Sequence, residues 1–360
     1  MKNAEHILIL RFSALGDVAI MIPIIRCFFI QYSEVKLTIV TDEKFFGLFK
    51  EFNKINLIAF EKINRHNGIF GLWALFNELR KKNPTAIIDL HSVLRTKFLK
   101  ILFRLFLFRF KSLNKGRKEK FFLLKKHNKK FKPLTPTIYR YLDVFSSVGY
   151  EINIEKHEFP PKPILPKIIN KKFNVKSKKW IGIAPFASFN GKVYPLDLMQ
   201  KVIAYLQKDN QVFLFGSGEK EINQLTIWAK AYENTYIASM ELTLSEELAL
   251  MAYFDLMISM DSANGHLATN MGVKVLTIWG LTHPFIGFAP WGQPNSHNIT
   301  VDRQEFPLIP TSVYGNKVPK GYENILRSIS PKTIIEKSLE IFLFTLFSYH
   351  IKFFIGKIFF

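Results

Sequence analysis

Short apolar runs alternate with longer amphipathic stretches through both halves of this chain. His6 to Leu10, Val35 to Val40, Ile55 to Phe60 and Ala86 to Leu90 are each five or six residues rich in Ile, Leu and Val. That length and composition predict strands buried on both faces. Between them, Val18 to Gln31, Lys44 to Glu51 and Ile69 to Lys82 carry apolar positions at helical spacing. The second half repeats the plan. Strands are predicted at Trp180 to Ala184, Gln211 to Phe215, Thr235 to Ala238, Leu256 to Ser259 and Val275 to Trp279. Helices are predicted near Leu196 to Lys208, Glu219 to Ala231 and Ser245 to Ala252. Such βαβ alternation calls for parallel sheets covered on both faces, with ligands at the carboxyl ends of the strands.

Between the halves, Phe159 to Pro166 holds four prolines in eight residues and can be neither helix nor inner strand. It is the expected linker between an N-terminal domain at 1–160 and a C-terminal domain at 161–332. An apolar helix at about 333–360 would pack back on the N-terminal domain or on a membrane. The tail from Ile341 onward has no uncharged run longer than the eleven residues Ile341 to Ile351, short of the ~20 that span a bilayer.

A chain of 360 residues with 48% hydrophobic and 22% charged residues has the makings of two globular domains. The one cysteine, Cys27, excludes an internal disulfide framework, and the amino terminus lacks a long apolar signal region. A cytoplasmic location is therefore expected. Charge alters the picture more. Between Arg95 and Lys132, fifteen Lys or Arg face Glu119 alone, so +14 of the formal +21 lies there, interleaved with Phe and Leu. This mixture suits an anionic glycolipid or the surface of the inner membrane leaflet, with Arg95, Lys97, Lys100, Arg104, Lys118 and Lys120 as candidate contacts. Two other sources remain open at this point: an A/T-rich codon bias that enriches Lys, Phe, Ile and Asn, and nucleic acid. No nucleic-acid motif accompanies the charge, so no such partner is expected.

Candidate chemistry falls at the predicted strand ends. Met260 to His266 follows one strand and opens a helix, where unpaired backbone N–H groups and the helix dipole attract anions. Asp261, Ser262, Asn264, Gly265 and His266 are thus candidates for holding a phosphate, though Asp261 or Ser262 could equally cap the helix and His266 pack on the sheet. Ser188 and Lys192, in the loop Pro185 to Pro195, are suited to donating hydrogen bonds and charge to a diphosphate, or form an ordinary polar loop. Gly216 allows close approach by a nucleoside and Glu219 could accept from its ribose, with helix capping as the alternative. After the first strand, Arg11 to Asp17 has one glycine, too few for a dinucleotide fingerprint, and no Walker lysine. What it offers is Asp17, as a general base or as a cap.

Three of these stretches together, Ile7 to Val18, Pro185 to Pro195 and Asp261 to Ala268, resemble glycosyltransferase family 9, the heptosyltransferase-like enzymes of lipopolysaccharide core assembly. The resemblance spans nearly the whole chain. It implies a GT-B fold, two Rossmann-like doubly wound domains facing across a cleft, inversion at the anomeric carbon, and no metal or other cofactor. It maps the base onto Asp17, the donor-phosphate hydroxyl and lysine onto Ser188 and Lys192, and the late acidic, hydroxyl and histidine positions onto Asp261, Ser262 and His266. The implied donor is a nucleotide-sugar, ADP-heptose first, and the implied acceptor a lipopolysaccharide or related glycolipid. Ala263 departs from the family's usual glycine after the Asp-Ser pair, and so bears on the fit of the loop to the diphosphate. The competing expectation is an inactive peripheral membrane protein or glycan-binding module on the same fold.

Overall fold

The computed structural model describes residues 5–173 and 178–343. It divides the chain into two compact units, Met1–Lys118 with Thr135–Pro160, and Glu119–Leu134 with Pro161–Phe360. The first holds five strands: β1 (His6–Leu10), β2 (Lys36–Thr41), β3 (Ile55–Ala59), β4 (Ala86–Asp89) and β5 (Phe110–Ser112). All pair in parallel in the order β3-β2-β1-β4-β5. The second holds β6 (Lys179–Ala184), β7 (Asn210–Leu214), β8 (Thr235–Ile237), β9 (Leu256–Met260), β10 (Val275–Trp279) and β11 (Asn298–Thr300). These too are all parallel, ordered β11-β10-β9-β6-β7-β8.

Both sheets are doubly wound. Chain order runs outward one way from β1 or β6, then reverses and runs outward the other way from β4 or β9. The reversal opens a crevice at the carboxyl ends, between β1 and β4 in one unit and between β6 and β9 in the other. Parallel strands covered on both faces need continuous apolar sequence, and Ile7 to Leu10 and Leu256 to Ile258 are accordingly inaccessible to solvent. In the first unit the helices Gly68–Arg80 and Leu94–Leu105 bury Leu75, Phe76, Leu99 and Phe103 against that sheet. Strands β5 and β11 were not predicted. Each is three residues long with a single buried position, which leaves no apolar run to read.

One expectation about domain limits is corrected. The segment Glu119–Leu134, expected within the N-terminal domain, belongs to the second unit as a strap. Leu123 and Leu134 join Ile286 in a small core of their own, and Leu134 N–H donates to the Phe285 carbonyl at 2.9 Å. Lys129 Nζ donates to the carbonyls of Leu123, Leu308 and Pro310 at 3.0, 2.9 and 2.9 Å. Burial pushes its pKa down to about 8, with Arg303 adding to the effect. The expected C-terminal helix is described over 331–343, where Ile334, Ile341 and Phe342 join the core of the second unit. The rest of that expectation lies outside the described residues. Among the described residues no helix is long and apolar enough to cross a membrane.

The strap also carries an acid-sensitive joint. His283 Nδ1 accepts the Phe285 N–H at 3.1 Å, and its ring meets Phe131 of the strap edge-on at 5.0 Å. Burial, then Arg303 and Lys129, hold its pKa down to about 4. The unfolded chain binds this proton near pH 6.5 and the folded chain only near 4, so the histidine's contribution is full above 6.5 and lost as pH falls toward 4. Urea midpoints measured from pH 7 to 4.5 should therefore fall less in His283→Asn, which keeps an acceptor for Phe285, than in the wild type. Equal falls would show that His283 does not carry this sensitivity.

Candidate active site

In the second unit three loops leave adjacent strands at one edge of the sheet: those after β6, β7 and β9. The loop after β6 carries Ser188, which is exposed, and Lys192, which is largely covered. The loop after β9 carries Asp261, buried at the switch point. Lys192 Nζ lies 2.9 Å from Asp261 Oδ2, with the side chains 14% and 9% exposed. Thr282, wholly buried in the loop after β10, donates to the same oxygen at 2.8 Å. Asp261 therefore does not cap the helix that follows. It holds the lysine.

The approach of Lys192 depends on two missing side chains. A Cβ on Gly191 would fall 2.3 Å from the Gly315 carbonyl oxygen, and one on Gly315, at φ +72°, 2.5 Å from Lys192 Cγ. Either glycine replaced would displace the lysine or the chain beside it. The Leu281 N–H completes the joint by donating to the Gly191 carbonyl at 2.8 Å. Gly315 and Thr282 went unrecognised in sequence, for no local pattern links either to a lysine 90 or more residues away.

The helix Ala263–Asn270 starts beside this pair. Ser262 occupies its cap position without a side-chain cap bond, and its Oγ lies 3.1 Å from Ser259 Oγ. The N–H groups of its first turn thus keep their capacity for an anion. Ala263 has an ordinary helical start with no positive φ, so alanine stands there without strain. Gly265 is buried, with Pro290 Cγ, Val275 Cγ1 and Ser259 Oγ at 3.1, 3.5 and 3.6 Å from where its Cβ would be, so it lets helix and sheet pack closely. His266 is also buried, and Asn264 is partly exposed. After β7, the Gly216 N–H donates to Ser239 Oγ at 3.2 Å, and Glu219 is exposed in the first turn of Gly218–Ala231. Glu221, rather than Glu219, bonds back to the Ser217 N–H at 2.7 Å.

In the first unit the switch point gathers a second set. Asp17 lies in the first turn of the helix Leu15–Ala19, whose cap is Ala14, so it is not a capping residue. Its Oδ2 is 2.5 Å from Arg11 Nη2, and Arg11 is buried and donates through Nη1 to the Leu90 carbonyl at 2.6 Å. The guanidinium thus ties the carboxylate to the end of β4. The fully buried Tyr141 donates its hydroxyl to the Asp17 carbonyl oxygen at 3.3 Å. Asp89, the last residue of β4, accepts the N–H groups of His91 and Ser92 at 3.0 and 2.8 Å, and its burial raises its pKa. Burial, then Arg11, Lys115 and Arg95, push His91 down to about 3 and keep its imidazole neutral. Arg11, Asp89, His91 and Tyr141 were not picked out as site residues. Asp89 alone left a usable trace, a carboxylate ending an apolar strand.

The six basic candidates are divided between the two units. Arg95, Lys97 and Arg104 are exposed on the helix Leu94–Leu105, where Lys100 is half-buried, and Lys118 ends the first unit exposed. Lys120 belongs to the second unit, its ammonium 4.6 Å from the centre of the Phe288 ring. Among the described residues no cluster of three or more His, Cys, Asp or Glu is placed to hold a metal ion.

Two doubly wound parallel domains, one with a largely covered lysine beside a helix start at its switch point, have the architecture of the GT-B class. Solved structures share the fold. Glycosyltransferase family 9 from Veillonella parvula superposes with a TM-score of 0.71 at 20% identity, over 95% of this chain and 99% of that one. E. coli heptosyltransferase WaaC with ADP gives 0.65 at 15% identity, over 93% and 99%. In sequence, the lipooligosaccharide heptosyltransferase 2 of Campylobacter jejuni is 23% identical over 90% of this chain and 94% of its own length. The lipopolysaccharide core heptosyltransferase OpsX of Haemophilus influenzae is 23% identical over 78% and 80%. Residues 72–315, more than half the chain, match the model of glycosyltransferase family 9 (heptosyltransferase), and the chain belongs to that family.

The Lys192–Asp261 pair is testable as a unit. Removing one member of a buried pair strands the other, at about 3–5 kcal/mol, whereas removing both spares the desolvation of each. Lys192→Met and Asp261→Leu should each lower stability more than half as much as the two combined, giving a coupling of about 1–3 kcal/mol in denaturant titrations. Additive effects would mean that the two charges do not stabilise each other in solution.

Proposed function

We propose that this glycosyltransferase moves a heptose, with inversion and without a metal, from ADP-heptose to a lipopolysaccharide-type glycolipid at the cytoplasmic face of the membrane. The observation that carries this reading is Lys192 held at the β6–β9 switch point, next to a helix start whose cap is unfilled. Relatives named as heptosyltransferases of lipopolysaccharide or lipooligosaccharide point the same way. So do solved WaaC complexes with ADP and with ADP-2-deoxy-2-fluoro heptose.

In this reading the donor diphosphate meets Lys192, Ser188 and the first-turn N–H groups of Ala263–Asn270, with Ser262 and Asn264 flanking. His266 supports that helix start. Asp261 keeps Lys192 aimed until an anion arrives. Gly216 and Glu219 take the nucleoside side. As the bond from the anomeric carbon to the diphosphate breaks, negative charge grows on the leaving oxygens. A fixed ammonium and oriented N–H groups stabilise that charge without reorganising, which is the task a metal performs elsewhere. Asp17, oriented by Arg11, takes the proton of the acceptor hydroxyl as that oxygen attacks the opposite face of the anomeric carbon. The family match begins after Asp17, so this role rests on the geometry around it and on the motif.

Asp17→Asn should lower kcat by about 10²–10⁴, the usual worth of a general base, while ADP binding measured by calorimetry stays within about twofold of wild type. Wild-type turnover in that variant would remove Asp17 from the mechanism. Dialysis against EDTA should leave the transfer rate unchanged. A rate that EDTA abolished and Mg²⁺ restored would overturn the metal-free reading.

A further inference from the structure

Leu107 follows the helix Leu94–Leu105 and its cap Phe106, at φ +63°. Its N–H donates to the Arg104 carbonyl at 3.0 Å, and the next N–H, of Phe108, to the Phe103 carbonyl at 3.0 Å. This is the left-handed helix-ending position that glycine fills most readily, because a Cβ there crowds the following carbonyl. The leucine gains nothing from burial in return, for it is 94% exposed. Neither backbone preference nor core packing accounts for a leucine at this position.

Its neighbours extend the same character. Ile101 and Leu105, one turn apart on the outer face of that helix, are 60% and 72% exposed. The helix beside it, Gly68–Arg80, exposes Ile69, Phe70 and Trp73 at 66%, 91% and 46%. The two are successive crossover helices of one parallel sheet and lie side by side, Phe76 packing on Phe103 and Phe106 at ring distances of 4.9 and 5.3 Å. Their carboxyl ends coincide, since the Arg80 guanidinium sits 4.7 Å over the Phe106 ring. The inner faces bury Leu72, Leu75, Leu99 and Leu102, and the outer faces leave large apolar side chains to solvent on one side of the first unit.

Charge identifies the occupant. From Leu90 to Lys118 the chain holds nine Lys or Arg and no Asp or Glu. Lys97 and Arg104 are exposed one turn from Ile101 on the same helix. Apolar tips, an interfacial tryptophan and long cationic side chains around them match a bilayer surface carrying anionic headgroups: the tips enter the acyl boundary and the cations stay with the phosphates.

We infer that the outer faces of Gly68–Arg80 and Leu94–Leu105, with Leu107 at their tip, are the surface by which this protein docks on an anionic membrane. The assignment takes the membrane location proposed above as its premise and specifies the face. It excludes the strap half of the basic segment, whose Lys129 is spent on backbone carbonyls.

The test uses the full chain and vesicles of phosphatidylethanolamine and phosphatidylglycerol at 3:1, with phosphatidylcholine vesicles as control. Expected are binding to the anionic vesicles that weakens in 0.5 M NaCl, and quenching of tryptophan emission by brominated acyl chains that disappears in Trp73→Phe. Leu107→Gly, which suits the backbone, should keep or raise the thermal midpoint, bind ADP as wild type does, and associate with vesicles at least fivefold more weakly. Phe70→Ser with Leu105→Ser should weaken association further. If the wild type binds no anionic vesicle, the membrane location fails and the surface with it. If it binds and these variants bind equally well, only the surface is wrong. If the variants instead convert a lipid-free dimer to a monomer in sedimentation velocity, the face joins two copies of this chain and the inference is overturned.

Discussion

Parallel pairing is the constraint on which this molecule rests. Strands that all run one way cannot be joined by tight turns, so each connection must cross back over the sheet as a helix, and every strand releases its chain at the same edge. Functional groups dispersed along the sequence are thereby delivered to one line. Lys192 and Asp261 are separated by three strands' worth of chain, yet meet because β6 and β9 are neighbours at the point where winding reverses. Arg11, Asp17 and the Leu90 carbonyl meet for the same reason at β1 and β4. A ligand site at each reversal is a product of topology before any particular side chain is considered.

Within that frame, charge is handled in two opposite ways. At the switch points each ion is paired with a buried partner: Lys192 with Asp261, Asp17 with Arg11. Such pairs contribute little net stability, because desolvation offsets attraction, but they fix where a charge stands. On the helix Leu94–Leu105 the cations Arg95, Lys97 and Arg104 are exposed, and the apolar residues Ile101 and Leu105 lie exposed among them. The first arrangement suits a small anion that must be placed to a fraction of an ångström. The second suits an extended, fluid surface on which no single contact has to be exact.

Much of this was legible in the sequence. Short apolar runs, most of them rich in Ile, Leu and Val, gave nine of the strands, because a strand covered on both faces has little choice of composition. Strand-end loops then pointed to Asp17, Lys192 and Asp261 as residues standing where a ligand would be. What the sequence hid was partnership. No local pattern reveals that Asp261 faces Lys192 rather than its own helix, or that Gly315 is small because Lys192 passes over it. From Arg95 to Lys132 charge dominated the reading, and three distinct roles were merged: helix outer face, short strand β5, and a strap belonging to the other unit. Lys129 looks like its neighbours in sequence. Only its three carbonyl partners show that it is an internal fastener.

The strap has a consequence for how the chain is made. Leu123 and Lys129 emerge from the ribosome long before the groups that receive them, for the Lys129 bonds to Leu308 and Pro310 span 179 and 181 residues. At about 5–20 residues per second, an apolar, strongly cationic segment stays unpartnered for roughly 10–35 seconds of synthesis. Contacts so distant in sequence slow folding, because closing a long loop must precede the interactions that reward it. The second unit therefore cannot be finished from its own contiguous stretch alone. Severing the chain between Pro160 and Pro161 would not release two native halves, since the piece bearing the second sheet would leave part of its fastening behind on the other.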